Sequence, residues 1–134
     1  MTFVPCYLSH VLIDEIAQNQ IILISERDGT RRFPITIGVQ EAGAIDRAVK
    51  GQRFPRPLTH DLAMVLIQAL GGRLTAVRIV DVREQTFFAE LALIDGNGRE
   101  LAVDCRPSDA LALLVRQPGT PLLVAEAVVA EAAE

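Results

Sequence analysis

Through the first third of the chain, apolar residues rich in β-branched side chains come in short runs, the mark of strands. Residues 6–13 and 20–26 read as two strands separated by a polar stretch. Asp28-Gly29 then turns the chain into a third strand over residues 32–37, which makes the second and third a hairpin. After Ile37-Gly38 the period changes: Ala42, Ile45, Ala48 and Val49 share one helical face, with Asp46, Arg47 and Lys50 opposite. This predicts an amphipathic helix ending at Gly51. Pro55 and Pro57 hold an irregular link, after which Thr59 is placed to cap a second helix. Its body, residues 62–70, is apolar except for Gln68, and a helix apolar all round predicts burial. Gly71-Gly72 stops it. Extended runs at residues 74–82, 86–94 and 100–105, the last two joined by Asp95-Gly96-Asn97-Gly98, read as an antiparallel meander. Pro107-Ser108 opens another nearly all-apolar helix at 109–115, followed by a short strand at 122–124 and an Ala/Glu-rich helix. Clustered strands and helices predict an α+β fold: a single domain over residues 1–134 with helices packed on a mixed, largely antiparallel sheet.

Composition sharpens this picture. The 134 residues fit one core, 50% of them are hydrophobic and mean hydropathy is +0.30. Disorder is thereby excluded, and the apolar content predicts more surface than one small monomer can bury, hence a homo-oligomer with a dimer favoured. Thirteen basic against 17 acidic residues give a net charge of −4, so a nucleic-acid partner must meet a local basic patch rather than a general positive coat. Residues 1–13 lack the basic start of a signal peptide, and no run approaches the ~18 to 20 apolar residues of a membrane span. A soluble, cytoplasmic protein without membrane contact is the expectation. Cys6 and Cys105 stand far apart outside any metal-binding spacing and read as buried thiols.

Polar residues gather where three hydrophobic helices begin: Glu41, then Thr59-His60-Asp61, then Asp104 with Arg106, Ser108 and Asp109. Brought together, they supply what phosphodiester hydrolysis uses: carboxylates for a divalent cation, a histidine to move a proton and an arginine for developing phosphate charge. The competing reading is structural, since an acid in a first helical turn suits the macrodipole and Ser or Thr there is an ordinary cap. Glu41 lies four residues before Ile45, close to the buried stripe, and so needs a partner. His60-Asp61 is not a metal-dependent HD phosphohydrolase pattern, because His10 is the one other histidine. Arg47, Lys50, Arg53 and Arg56 form the clearest basic segment, with no acid between Arg47 and His60, and would lead a phosphate backbone to the acidic positions. Aromatic residues are 4%, too few for a base-stacking platform.

Three stretches carry a resemblance. They are Ile37-Gly38-Val39-Gln40-Glu41-Ala42-Gly43-Ala44-Ile45, then Arg56-Pro57-Leu58-Thr59-His60-Asp61-Leu62, then the run from Asp104 through Cys105-Arg106-Pro107-Ser108-Asp109 to Leu113. In this order, over nearly the whole chain, they resemble the bifunctional nuclease (BFN) domain family. The resemblance implies an α+β, oligomeric fold and cleavage of DNA and RNA. Mapped onto this chain, the polar positions of its motifs are Glu41, Arg56, Thr59, His60, Asp61, Asp104, Arg106, Ser108 and Asp109, and the residue chemistry above makes His60, Asp61, Asp104 and Asp109 the catalytic candidates. Arg47, Lys50, Arg53, Arg56, Arg106 and Ser108 are then substrate-binding candidates, and Glu41, Asp61 and Asp109 the holders of a divalent metal such as Mg²⁺ or Mn²⁺. Cys105 stands where the resemblance implies alanine in many relatives, which favours a packing role, and the short segment after Val124 predicts no appended regulatory domain. The alternative is a non-catalytic oligomeric binding module in which the same residues are caps and salt bridges. Two carboxylates meeting at one solvent-reachable point favour the enzyme; carboxylates consumed in scattered places favour the module.

Overall fold

The alternating runs pair into one curved sheet. In a computed structural model, which describes residues 1–14, 16 and 20–134, seven strands and four helices form among the described residues. They are β1 (Phe3–Leu12), β2 (Gln20–Glu26), β3 (Arg32–Ile37), α1 (Val39–Val49), α2 (Thr59–Ala69), β4 (Arg73–Arg83), β5 (Thr86–Ile94), β6 (Glu100–Cys105), α3 (Pro107–Leu114), β7 (Leu122–Ala125) and α4 (Glu126–Ala132). The polar break expected between the first two strands falls in part on residues 15 and 17–19, outside the described residues. The sheet order is β3-β2-β1-β7-β4-β5-β6. Its pairs are antiparallel except for β4 with β7, so the expected mixed, largely antiparallel α+β sheet is what forms. β1 starts three residues earlier than its pattern predicts, because Val4 and Pro5 lie in register with Val124 and Leu123 of β7.

Alternation sets the faces. Ile22 and Ile24 of β2, Phe33, Ile35 and Ile37 of β3, Val77 and Ile79 of β4, and Ala89 and Leu91 of β5 all enter the core. The sheet curls far enough for Phe33 on β3 to stack on Phe87 of β5, with ring centroids 5.5 Å apart. Helix α1 packs against β1 and β2, α3 against β4 and β5, and α4 against β1, β3, β4 and β7. From Ala110 to Leu114 every residue of α3 is buried, as its all-apolar pattern predicts.

Helix α2 departs from its prediction. It lies outside α3, and of its eleven residues, all described, Met64 alone is buried. Leu62, Val65 and Leu66 are exposed, and so are Leu58 before the helix and Leu70 after it. An apolar helix needs a cover on every side; this chain covers α2 on one.

Candidate active site

Helices α1, α2 and α3 share one N-terminal grammar. Their caps are Gly38, Leu58 and Arg106, and each places an acid at the third helical position: Glu41, Asp61 and Asp109. There the carboxylate faces the free N–H groups of the first turn, worth ~0.3–1 kcal/mol. Thr59 is accordingly the first helical residue and not the cap. Asp61 Oδ2 reaches back to accept the Leu58 N–H at 3.3 Å. On α3, Pro107 occupies the first helical position, where its missing donor costs nothing. Gly38 has its own reason: a Cβ there would stand 2.2 Å from Glu41 Oε2, so the glycine leaves room for that side chain to fold over the helix start.

The packing of the helices brings part of the predicted set together. His60 Nε2 and Asp109 Oδ1 are hydrogen-bonded at 2.9 Å. Arg106 donates from Nε to Asp109 Oδ2 at 2.8 Å, and its Nη2 lies 3.2 Å from Asp109 Oδ1 and 3.1 Å from Glu41 Oε1. Two carboxylates from different helices therefore meet at one exposed guanidinium nitrogen, with the histidine beside them. The group opens into a groove of about 920 Å³ whose lining includes Arg47, Leu58, Thr59, Leu62 and Arg116. Burial works against the charge of Asp109, but its bonds from Arg106 and His60 outweigh it and hold the carboxyl below its ordinary range. The Asp109 bond in turn drives the Arg106 guanidinium further towards its protonated form. An ionised Asp109 accepts the His60 Nε2 proton, which assigns the lone pair of a neutral ring to Nδ1.

Other predicted residues go elsewhere. Asp61 faces away from His60 and accepts from Arg116 Nε at 2.7 Å. Burial raises its carboxyl, and the bond and charge of Arg116, helped by the Leu58 N–H and the nearby Arg47, more than reverse this. Arg116 also donates to the carbonyls of Ala112 at 2.6 Å and Ala44 at 3.2 Å, so one nearly buried guanidinium ties α1, α2 and α3 together. Asp104 is not brought to the groove. It stands opposite Glu90 of β5, which is bonded to Arg78 of β4, in a polar row on the sheet face away from the helices. Ser108 is buried and lines a separate cavity with Thr36 and Gly38. Cys105 packs against the core, and burial followed by nearby carboxylates pushes its thiol up to about 11, unlike an activated nucleophile.

The basic segment divides in the same way. Arg47 folds back along α1 towards Gly43 into the groove, and its Nε is buried without a hydrogen-bond partner among the described residues. Arg53 and Arg56 line a neighbouring cavity of about 600 Å³ with Asp61 and Arg116. Lys50 pairs with Asp46 at 2.9 Å, outside both. Arg116 escaped the sequence reading, since a single basic residue after an apolar helix carries no spacing signal. The metal set of Glu41, Asp61 and Asp109 is not assembled. Asp61 belongs to Arg116, while Glu41 and Asp109 converge on a guanidinium where a cation would have to stand. Among the described residues, no three His, Cys, Asp or Glu side chains are grouped to hold a metal ion.

No described helix is long and apolar enough to cross a membrane. Two uncharacterized proteins of Mycobacterium tuberculosis, one from strain CDC 1551 and one from strain H37Rv, are each 48% identical to this chain over 119 residues, covering 88% of it and 70% of their own length. The model of the bifunctional nuclease domain matches residues 21–134, which include all three helix starts that build the groove. The chain belongs to the bifunctional nuclease domain family.

Proposed function

We propose that the protein is a nuclease that hydrolyses phosphodiester bonds of DNA and RNA in the groove between α1, α2 and α3. The observation that carries this reading is the His60–Asp109 pair, set beside Arg106 and open to a groove that Arg47 also enters. Asp109 holds the imidazole with its lone pair on Nδ1, the form a general base requires. His60 then takes the proton of an attacking water as the new oxygen–phosphorus bond forms, and returns it to the leaving oxygen as the old bond breaks. Arg106 and Arg47 contact the phosphate oxygens on which charge develops. The unpartnered Arg47 Nε is a donor that such an anion would satisfy. Arg53 and Arg56 line the cavity next to the groove and supply contacts for the continuing strand. Because Glu41, Asp61 and Asp109 do not form a cation site, every step is assigned to the side chains themselves. The free Cys6 and Cys105 thiols suit a reducing compartment, and we place the activity in the cytoplasm.

The module reading has an observation of its own: Glu41, Asp61 and Asp109 each accept from an arginine. One experiment separates the two. Purified protein is incubated with single-stranded DNA, duplex DNA and RNA, in Mg²⁺, in Mn²⁺ and in chelator, alongside folded His60→Ala and Asp109→Asn prepared identically. The nuclease reading expects cleavage that survives chelator and falls ~10²–10⁴-fold in both variants. Cleavage that is absent, or equal in all three proteins, returns the residues to an architectural role.

A further inference from the structure

Arg106 lines a second cavity besides the groove, and the proposed nuclease chemistry makes no use of it. Its volume is about 280 Å³, and its wall includes Thr36 of β3, the α1 cap Gly38, Gln85 and Thr86 where β4 turns into β5, and Arg106 and Ser108 at the start of α3. Ser108 is the unexplained group there. The residue is 6% exposed, yet its hydroxyl has no hydrogen-bond partner among the described residues. A buried hydroxyl in that position is costly unless something outside the chain completes it. We propose that the cavity binds a phosphate group, either inorganic phosphate or the terminal phosphate of a nucleotide.

The donors around Ser108 select an anion. Ser108 is the second residue of α3, so its N–H belongs to the free donors of the helix start, and no described residue accepts it. Asp109, the acid of that first turn, spends its two carboxylate oxygens on His60 and Arg106. Arg106 bonds Asp109 and Glu41 through Nε and Nη2, which leaves both Nη1 donors unused among the described residues. Thr36 and Thr86 add hydroxyls. No aspartate or glutamate lines this cavity, whereas Glu41 and Asp109 both line the groove. A guanidinium and the positive end of a helix exclude a cation from the same place. The volume lies at the bottom of the range for pockets that enclose an organic ligand, and suits a phosphate group. Thr36, Gln85 and Thr86 are exposed, so the remainder of a nucleotide can stay in solvent.

This binding does not rest on the nuclease reading and is measured without cleavage. The backbone amide NMR signal of Ser108 is followed during titration with inorganic phosphate, with thymidine 5′-monophosphate, which has no diester bond to cut, and with thymidine, each up to about 10 mM at constant ionic strength. At least one of the two phosphate compounds is expected to shift the signal, and thymidine is not. A response to inorganic phosphate identifies the free anion as a ligand, and a response to the nucleotide alone identifies a strand end. Ser108→Ala is expected to unfold at the same urea concentration as wild type and to bind ~10–100-fold more weakly. Glu41→Gln releases Arg106 from one carboxylate and is expected to bind about twofold to fivefold more tightly. No shift with either phosphate compound, an equal shift with thymidine, wild-type affinity in Ser108→Ala or weaker binding in Glu41→Gln overturns the proposal.

Discussion

Helices α2 and α3 are written in nearly the same language and end in different places. Both are short, almost free of charge along their bodies, and begin with a polar turn carrying an acid at the third position. Helix α3 lies between β4 and β5 on one side and α1 and α2 on the other, so its own chain covers it all round. Helix α2 has α3 beneath it and nothing of this chain over its outer stripe. An all-apolar pattern therefore states that a helix must be covered, but not which molecule supplies the cover. The contact between the two helices is also where polar side chains gather: His60 of α2 meets Asp109 of α3, and Asp61 of α2 meets Arg116 just past α3.

Removing the same side chain from each helix breaks the comparison most sharply. Leu111→Ala in α3 is expected to cost ~2–5 kcal/mol in urea unfolding, because it opens a cavity on all sides. Leu66→Ala in α2 is expected to change the stability of the monomer by less than about 0.5 kcal/mol. Cutting the tie between the helices comes next. Asp61→Asn leaves the Arg116 guanidinium, with 9% of its side chain exposed, short of its bond to a carboxylate, an expected loss of ~1–3 kcal/mol in the same unfolding experiment.

Acid tests the same joint. The carboxyls of Asp61 and Asp109 both titrate lower in the folded chain than in the unfolded one. As pH falls the unfolded chain takes up protons first, so the stability these groups contribute is complete at neutral pH and drains away below about pH 4. Unfolding midpoints measured from neutral pH downwards are expected to fall more steeply in wild type than in Asp109→Asn. The smallest expected effect is that of Gly38→Ala. The atoms nearest the new methyl group belong to the flexible end of Glu41, and the backbone there, at φ −72°, suits any residue. Stability should change by less than about 0.5 kcal/mol, while the Glu41–Arg106 contact is lost and shows as a shift of the Arg106 side-chain NMR signals.

Much of the architecture was legible from alternation and turn residues alone: the β2–β3 hairpin, the β4-β5-β6 meander, the buried α3 and the mixed sheet. The position of α2 was not, because a pattern apolar all round carries no direction. Within the site, the convergence of Glu41, His60, Arg106 and Asp109 follows from helix starts that look alike in sequence, yet their meeting depends on packing that no spacing encodes. Asp104 was misdirected by its neighbours. It precedes Arg106 by two residues, but the chain leaves β6 and enters α3 between them, so alternation no longer links the two. Cys105, turned towards the core, was the signal that Asp104 points the other way. Arg116 acts through carbonyls of α1 and α3 as well as Asp61, partners that only the folded chain brings near.

The central claim is that His60 and Asp109 act as one unit in the groove, and a double-mutant cycle on the rate of nucleic-acid cleavage tests it most directly. Wild type, His60→Ala, Asp109→Asn and the double variant are compared under one set of conditions, with folding checked by circular dichroism. If Asp109 works by holding the His60 ring, the double variant loses no more rate than His60→Ala alone. Losses that multiply in the double variant, or a wild-type rate in His60→Ala, would contradict the account.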